Sequence, residues 1–213
     1  MLSKKDLEKL RSPKQLKQFV FDTYDLIKSD LKLRKEARLK KELYKYFVEE
    51  LYPFSIFASV HYDEKCLCKP IIGNQGYDAE IYLSDKVVDK VEISWAIEGL
   101  EDYKIAKALN KQGYSEMEVV DDFTKQKASR LCLENMKKKA LKDYSDCTLL
   151  LVYDEYPGFS IENRESAKLI TDLVVEAKNI NFKAKGVYLL LLPQKIIDGK
   201  GTKQINERVI KIQ

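Results

Sequence analysis

Two apolar runs with a helix-period segment between them constrain this chain more than any other feature. Cys147 to Tyr153 reads Cys-Thr-Leu-Leu-Leu-Val-Tyr, and Gly186 to Leu192 reads Gly-Val-Tyr-Leu-Leu-Leu-Leu. A strand that is apolar at nearly every position has no face to give to water, so both its faces must be covered, as in parallel sheets under helices. Between the runs, Arg164 to Lys178 is amphipathic at helical spacing. Strand, helix, strand implies a right-handed crossover joining two parallel strands.

Upstream, Tyr77 to Leu83 and Lys90 to Ile97 alternate in character and read as antiparallel strands, joined as a hairpin through Ser84 to Asp89. Helices surround them. Ser12-Pro13 is a helix start, with serine as cap and proline in the first turn, and Leu16, Phe19, Val20, Tyr24 and Ile27 continue it to Ser29. A second helix is predicted over Ala37 to Tyr52, ending or kinking at Pro53. Asp102 to Lys111 is a short helix closing at Gly113, and Asp122 to Tyr144 a long one. The tail holds a turn at Asp198-Gly199-Lys200-Gly201, then irregular alternation from Ile205 to Ile212. The expected fold class is α/β, a mixed central sheet with helices on its faces.

A chain of 213 residues, 45% hydrophobic, can bury a sizeable core. We expect one compact unit, with residues 1–35 as an N-terminal helical arm and residues 36–213 as the α/β domain. No apolar stretch approaches the roughly 20 residues needed to span a bilayer. The first residues turn charged at once, without the apolar stretch of a secretory signal, so a cytoplasmic location is expected. In that reducing setting Cys66, Cys68, Cys132 and Cys147 are read as buried thiols. Cys66-Leu67-Cys68 has no second close pair and only His61 to add, which leaves tetrahedral zinc short of ligands.

The net charge of +4 is unevenly spread, since residues 1–50 carry 14 Lys+Arg against 9 Asp+Glu. That excess is either a docking surface for phosphate or a solvated helical face. Lys125, Lys127, Arg130, Lys137, Lys138, Lys139 and Lys142 pose the same choice on the long helix, with Tyr144 available to stack on bases.

No phosphate-binding P-loop, dinucleotide fingerprint or nucleophile elbow occurs. His61, beside Asp63 and Glu64 but without a patterned nucleophile, reads as a surface or packed histidine. What remains is carboxylate chemistry. Asp78 begins one hairpin strand, and Glu92 lies inside the next, with Val91 and Ile93 pointing to the opposite face. A charge in mid-strand calls for a partner or a cation. Two such acids held close would bind a hard divalent cation, which accepts phosphate oxygens as further ligands. Glu80, two residues beyond Asp78, is either a third ligand or an edge charge. The alternative is structural: Asp78 caps the Gly76-Tyr77 turn, and Glu92 pairs with a lysine such as Lys90 or Lys104. Trp95 reads as helix–sheet packing.

Asp78, followed fourteen positions later by Glu92-Ile93-Ser94 on a hairpin between helices, resembles the PD-(D/E)XK nuclease superfamily over roughly Glu36 to Leu192. Gly76-Tyr77-Asp78 and Val91-Glu92-Ile93-Ser94 also resemble uncharacterised bacterial and phage proteins placed near it. The resemblance implies a restriction-endonuclease-like core and Mg²⁺ or Mn²⁺ bound by Asp78, Glu92 and Glu80. It further implies hydrolysis of nucleic acid. Its water-positioning lysine, two residues after the acid, is Ser94 here, so the resemblance looks to Lys90, or to Lys104 and Lys107, for the missing charge. Glu42, Glu49 or Glu50 would be a further ligand from the first core helix. Nucleic acid would lie against Lys104, Lys107, Lys137, Lys138 and Tyr144. Alternatives are a degraded nuclease fold that binds nucleic acid or a protein, and an interaction protein whose N-terminal helices form a homodimer or partner surface.

Overall fold

A computed structural model describes residues 2–73, 75–95, 99–113, 122–155, 164–193 and 208–213. Its chain divides into two compact units, Met1–Val91 with Glu98–Met117, and Glu92–Ile97 with Glu118–Gln213.

The first unit opens with a short helix α1 (Lys4–Leu7), then α2 (Pro13–Ser29). Helix α2 starts where the sequence says it must: Ser12 accepts from the Gln15 amide while the Gln15 side chain returns to the Ser12 amide, a reciprocal capping box. The residues expected to form an arm are built into this unit. Leu16 and Val20 are fully buried, Tyr24 stacks on Tyr52 with centroids 5.9 Å apart, and the Arg11 and Cys68 backbones exchange hydrogen bonds of 3.1 and 2.7 Å. Leu16, Val20 and Ile27 of α2 are buried here, while Leu26 stays 54% exposed.

The predicted Ala37–Tyr52 helix is replaced by several pieces. Helix α3 (Leu31–Arg38) ends in a turn with Lys40 and Glu42 at positive φ, and α4 (Leu43–Tyr46) runs through a π-helical turn, Phe47–Leu51, into α5 (Tyr52–His61). Pro53 neither ends nor breaks this helix. The wide turn, closed by the Tyr52 amide on the Phe47 carbonyl, absorbs the hydrogen bond that proline cannot make and the room its ring needs. Pro53 to Ala58 are all buried, so α5 is the core helix of the unit.

Strands β1 (Leu67–Pro70), β2 (Ala79–Leu83) and β3 (Lys86–Trp95) are antiparallel. The β2–β3 connection is two residues, Ser84 and Asp85, both at positive φ (48° and 63°), the hairpin turn whose twist suits its strands. β3 thus begins earlier than Lys90. A bulge opposite Ile81 and Tyr82 breaks its alternation and leaves Val87 and Val88 both exposed, which hid the strand's start. Helix α6 (Gly99–Gln112) closes at Gly113, whose φ of 83° and amide bond to the Leu109 carbonyl make the expected stop.

The second unit holds the last residues of β3, α7 (Asp122–Ala140), β4 (Asp143–Glu155), α8 (Arg164–Lys178), β5 (Lys183–Pro193) and β6 (Val209–Lys211). β4 and β5 are parallel, as the apolar runs demanded, and Cys147 to Tyr153 are buried without a break. β6 pairs antiparallel with β5. Cys132 and Met136 of α7 and Ile170, Leu173 and Ala177 of α8 are buried here. The long helix stops at Ala140, so Tyr144 lies in β4. Hydrogen bonding follows the strand order β1-β2-β3-β4-β5-β6, a mixed sheet flanked by helices, and the fold is α/β. All four cysteines are free and buried, and burial pushes the Cys68 and Cys132 thiols up to about 12. Among the described residues no helix is long and apolar enough to cross a membrane. The turn at 198–201 lies outside the described residues.

Candidate functional site

The candidate carboxylates divide between the units: Asp78 and Glu80 belong to the first, Glu92 to the second. Asp78 sits one residue ahead of β2, its amide donating to the Val91 carbonyl (2.8 Å) and its carbonyl accepting from the Ile71 amide (2.9 Å). Its backbone thus extends the ladder one residue beyond the start of β2.

Glu80 is a structural acid. Tyr77 donates to its Oε1 at 2.9 Å and Tyr82 to its Oε2 at 2.5 Å, while Lys69 and Lys90 are its register partners on β1 and β3. Burial would raise the carboxyl, but the hydrogen bonds from Tyr82 and Tyr77 and the charges of Lys69 and Lys90 outweigh it and hold Glu80 below its ordinary value. Each of its oxygens thus already accepts one tyrosine hydroxyl. Lys90 belongs to the same cluster, its ammonium 4.9 Å from the Tyr77 ring centroid. Tyr82 is pushed up to about 12, chiefly by its bond to Glu80.

A depressed carboxyl stabilises the folded chain above the unfolded value, and that stability is lost as pH falls through the folded value. We expect the native chain to lose stability below pH 4.5, Glu80's ordinary value, and Tyr82→Phe to flatten that loss. Carbon-detected NMR titration of the Glu80 carboxyl checks it: an unmoved titration in the variant contradicts the assignment.

Within the second unit Glu92 is half-buried on β3, with Val91 and Ile93 on the opposite, buried face as expected. Its Oε1 lies 3.2 Å from the Lys139 ammonium on α7, and the side chains keep 17% and 23% of their exposure. Burial would lower Lys139, but the charges and hydrogen bonds of Glu92 and Tyr144 prevail and raise it, so the ammonium stays charged. Oε2 of Glu92 takes no hydrogen bond from the described residues. Ser94 is buried.

Lys139 was legible only as one of several helix lysines; nothing in its spacing singles it out, because its partner is 47 residues away. Tyr144, expected to stack on bases, is buried in β4 with Lys139 5.7 Å from its ring centroid. Lys104, Lys107, Lys137 and Lys138 are exposed. Glu49 pairs with Lys40 at 2.9 Å, and both Glu49 and Glu50 lie in the π-helical turn of the first unit, with Glu42 in the loop before α4. His61 is exposed, stacked on Phe57 at 4.8 Å, as a packed surface histidine should be. Trp95 is half-buried.

A polar contact the sequence did not suggest is Asp89, buried in β3, whose Oδ2 accepts from Tyr62 at 2.7 Å. Among the described residues no cluster of three or more His, Cys, Asp or Glu stands ready for a metal. The chain matches no model of a known protein family, no curated protein and no solved structure.

Proposed function

We propose that this chain is a metal-dependent, nuclease-like protein that hydrolyses phosphodiester bonds, with Glu92 as its acid and Lys139 as its lysine. The observation that carries the reading is the 3.2 Å pair itself. The resemblance asks for an ammonium beside the strand acid, and Ser94 cannot provide one. Helix α7 offers Lys139 instead, charged and partly shielded from water.

In that role the Lys139 ammonium holds the attacking water or a phosphoryl oxygen, where negative charge grows in the transition state. The Glu92 carboxylate accepts a hydrogen bond from that water and orients its lone pair toward phosphorus. Glu92 Oε2, which takes no hydrogen bond from the described residues, would be offered to a hard cation, and a bound Mg²⁺ would neutralise phosphate charge there.

Nicking of supercoiled plasmid with Mg²⁺ or Mn²⁺ tests the reading, and Glu92→Ala is expected to abolish it. Ca²⁺ is expected to raise the melting temperature of the native chain but not of Glu92→Ala. Asp78→Ala tests separately the residue assigned from sequence. A clean absence of cleavage on DNA and RNA overturns the enzyme. Salt-dependent binding without cleavage would then favour the degraded-nuclease reading, which the buried Ser94 in the lysine position supports.

A further inference from the structure

Helices α3 and α6 lie together in the first unit, tied by the Asn110 carboxamide, which donates to the Lys35 carbonyl at 2.9 Å. Helix α3 is unusual in where its charges go. Asp30 is used as the cap, accepting from the Lys32 and Leu33 amides at 2.7 and 3.0 Å. Glu36 is half-buried and acts on Tyr44, whose phenol is raised by burial and then by the charges of Glu36 and Asp30. Arg34 folds back onto the Lys28 carbonyl. Both acids near α3 are thus engaged locally, while Lys32, Lys35 and Arg38 stay exposed.

On α6, Lys107 and Lys111 are exposed one turn apart, and Tyr103, one turn before Lys107, is 51% exposed. Among the described residues none of these five cations has a carboxylate within ion-pair distance.

We infer that this α3–α6 face is a binding surface for single-stranded nucleic acid. Lys32, Lys35, Arg38, Lys107 and Lys111 hold the backbone, and Tyr103 stacks on a base. A face of exposed cations suits a run of phosphates, whose condensed ions it displaces. The exposed ring among the lysines distinguishes this surface from a purely electrostatic one, since base stacking is what single strands add. The inference does not depend on cleavage by Glu92, because binding needs neither that residue nor a divalent cation.

Fluorescence anisotropy of the full chain with a labelled oligothymidylate, in EDTA and across a salt series, tests it. Lys107→Glu with Lys111→Glu, and Lys35→Glu with Arg38→Glu, are each expected to weaken binding about tenfold or more and to flatten the salt slope by about 0.7 per lost contact. Tyr103→Ala is expected to lose about tenfold on the single strand and little on a duplex. Lys168→Glu with Lys178→Glu, on α8, should bind like the native chain. Should a reversal pair fail to fold, Lys107→Gln with Lys111→Gln is expected to show the same direction. Native-like binding by the α3 and α6 variants overturns the inference. So does equal binding to vesicles of phosphatidylserine and phosphatidylcholine. If nicking is absent but these losses appear, the surface stands and the hydrolytic reading falls.

Discussion

Leu190→Ala is expected to destabilise the second unit by about 2–5 kcal/mol, the range for removing a fully buried leucine and leaving a cavity. Leu190 lies within β5, in register with Val152 on β4 and Val209 on β6, and is wholly excluded from solvent. Strands on both sides hold its backbone in place, so the surroundings have little freedom to collapse into the space. Trp95 is the one tryptophan and belongs to this unit, so its fluorescence in urea reads the effect directly. Val175→Ala on α8, at a side chain 57% exposed, is expected to shift the same midpoint by no more than about 0.5 kcal/mol. Similar shifts for the two variants would contradict the packing described for β5.

Lys139→Met is expected to lower nicking on the order of a hundredfold, as removal of one preorganised charge at a developing phosphoryl charge does. It also leaves Glu92 half-buried without its counter-ion, at a cost of about 1–3 kcal/mol. The two consequences separate in a cycle with Glu92→Gln: the double variant should recover part of the stability and none of the cleavage. Lys139→Arg keeps the charge and is expected to keep more of both. The raised Lys139 value gives a sign to the pH dependence. The pair's contribution is fully present below 10.5, the ordinary lysine value, and is lost as pH rises through the higher folded value. Unchanged nicking in Lys139→Met, alongside lost stability, would make the pair structural and nothing more.

Much of the fold could be read before any coordinates. The bounds of α2 and α8 fall at the predicted residues because Ser12-Pro13 and the periodicity of Arg164–Lys178 are local signals, satisfied within a turn or two. The parallel pairing of β4 and β5 followed from runs with no polar face. Misreadings arose where a local rule met a longer-range accommodation. Pro53 normally stops a helix, yet the π-helical turn before it relieves the clash. Alternation normally marks a strand, yet the bulge near Val88 suspended it and concealed four residues of β3.

The site was less legible for a related reason. Asp78 and Glu92 drew notice as acids at strand spacing, and Glu80 with them, but a carboxylate's role is decided by its hydrogen-bond donors. Tyr77, Tyr82 and the flanking lysines make Glu80 an internal anchor, and no spacing rule announces two tyrosines converging on one acid. The same holds for Asp89 and Tyr62, which are 27 residues apart.

By itself the sequence determined the α/β class, the crossover around the two apolar runs, the hairpin and the buried thiols. Each follows from hydrophobic periodicity or from backbone chemistry acting over a few residues. Only the tertiary structure decided that Lys139 meets Glu92, that Tyr77 and Tyr82 converge on Glu80 and that α3 turns its cations outward. Ion pairs and hydrogen bonds act over a few ångströms between side chains far apart in the chain, so they exist only once the strands and helices have been brought together.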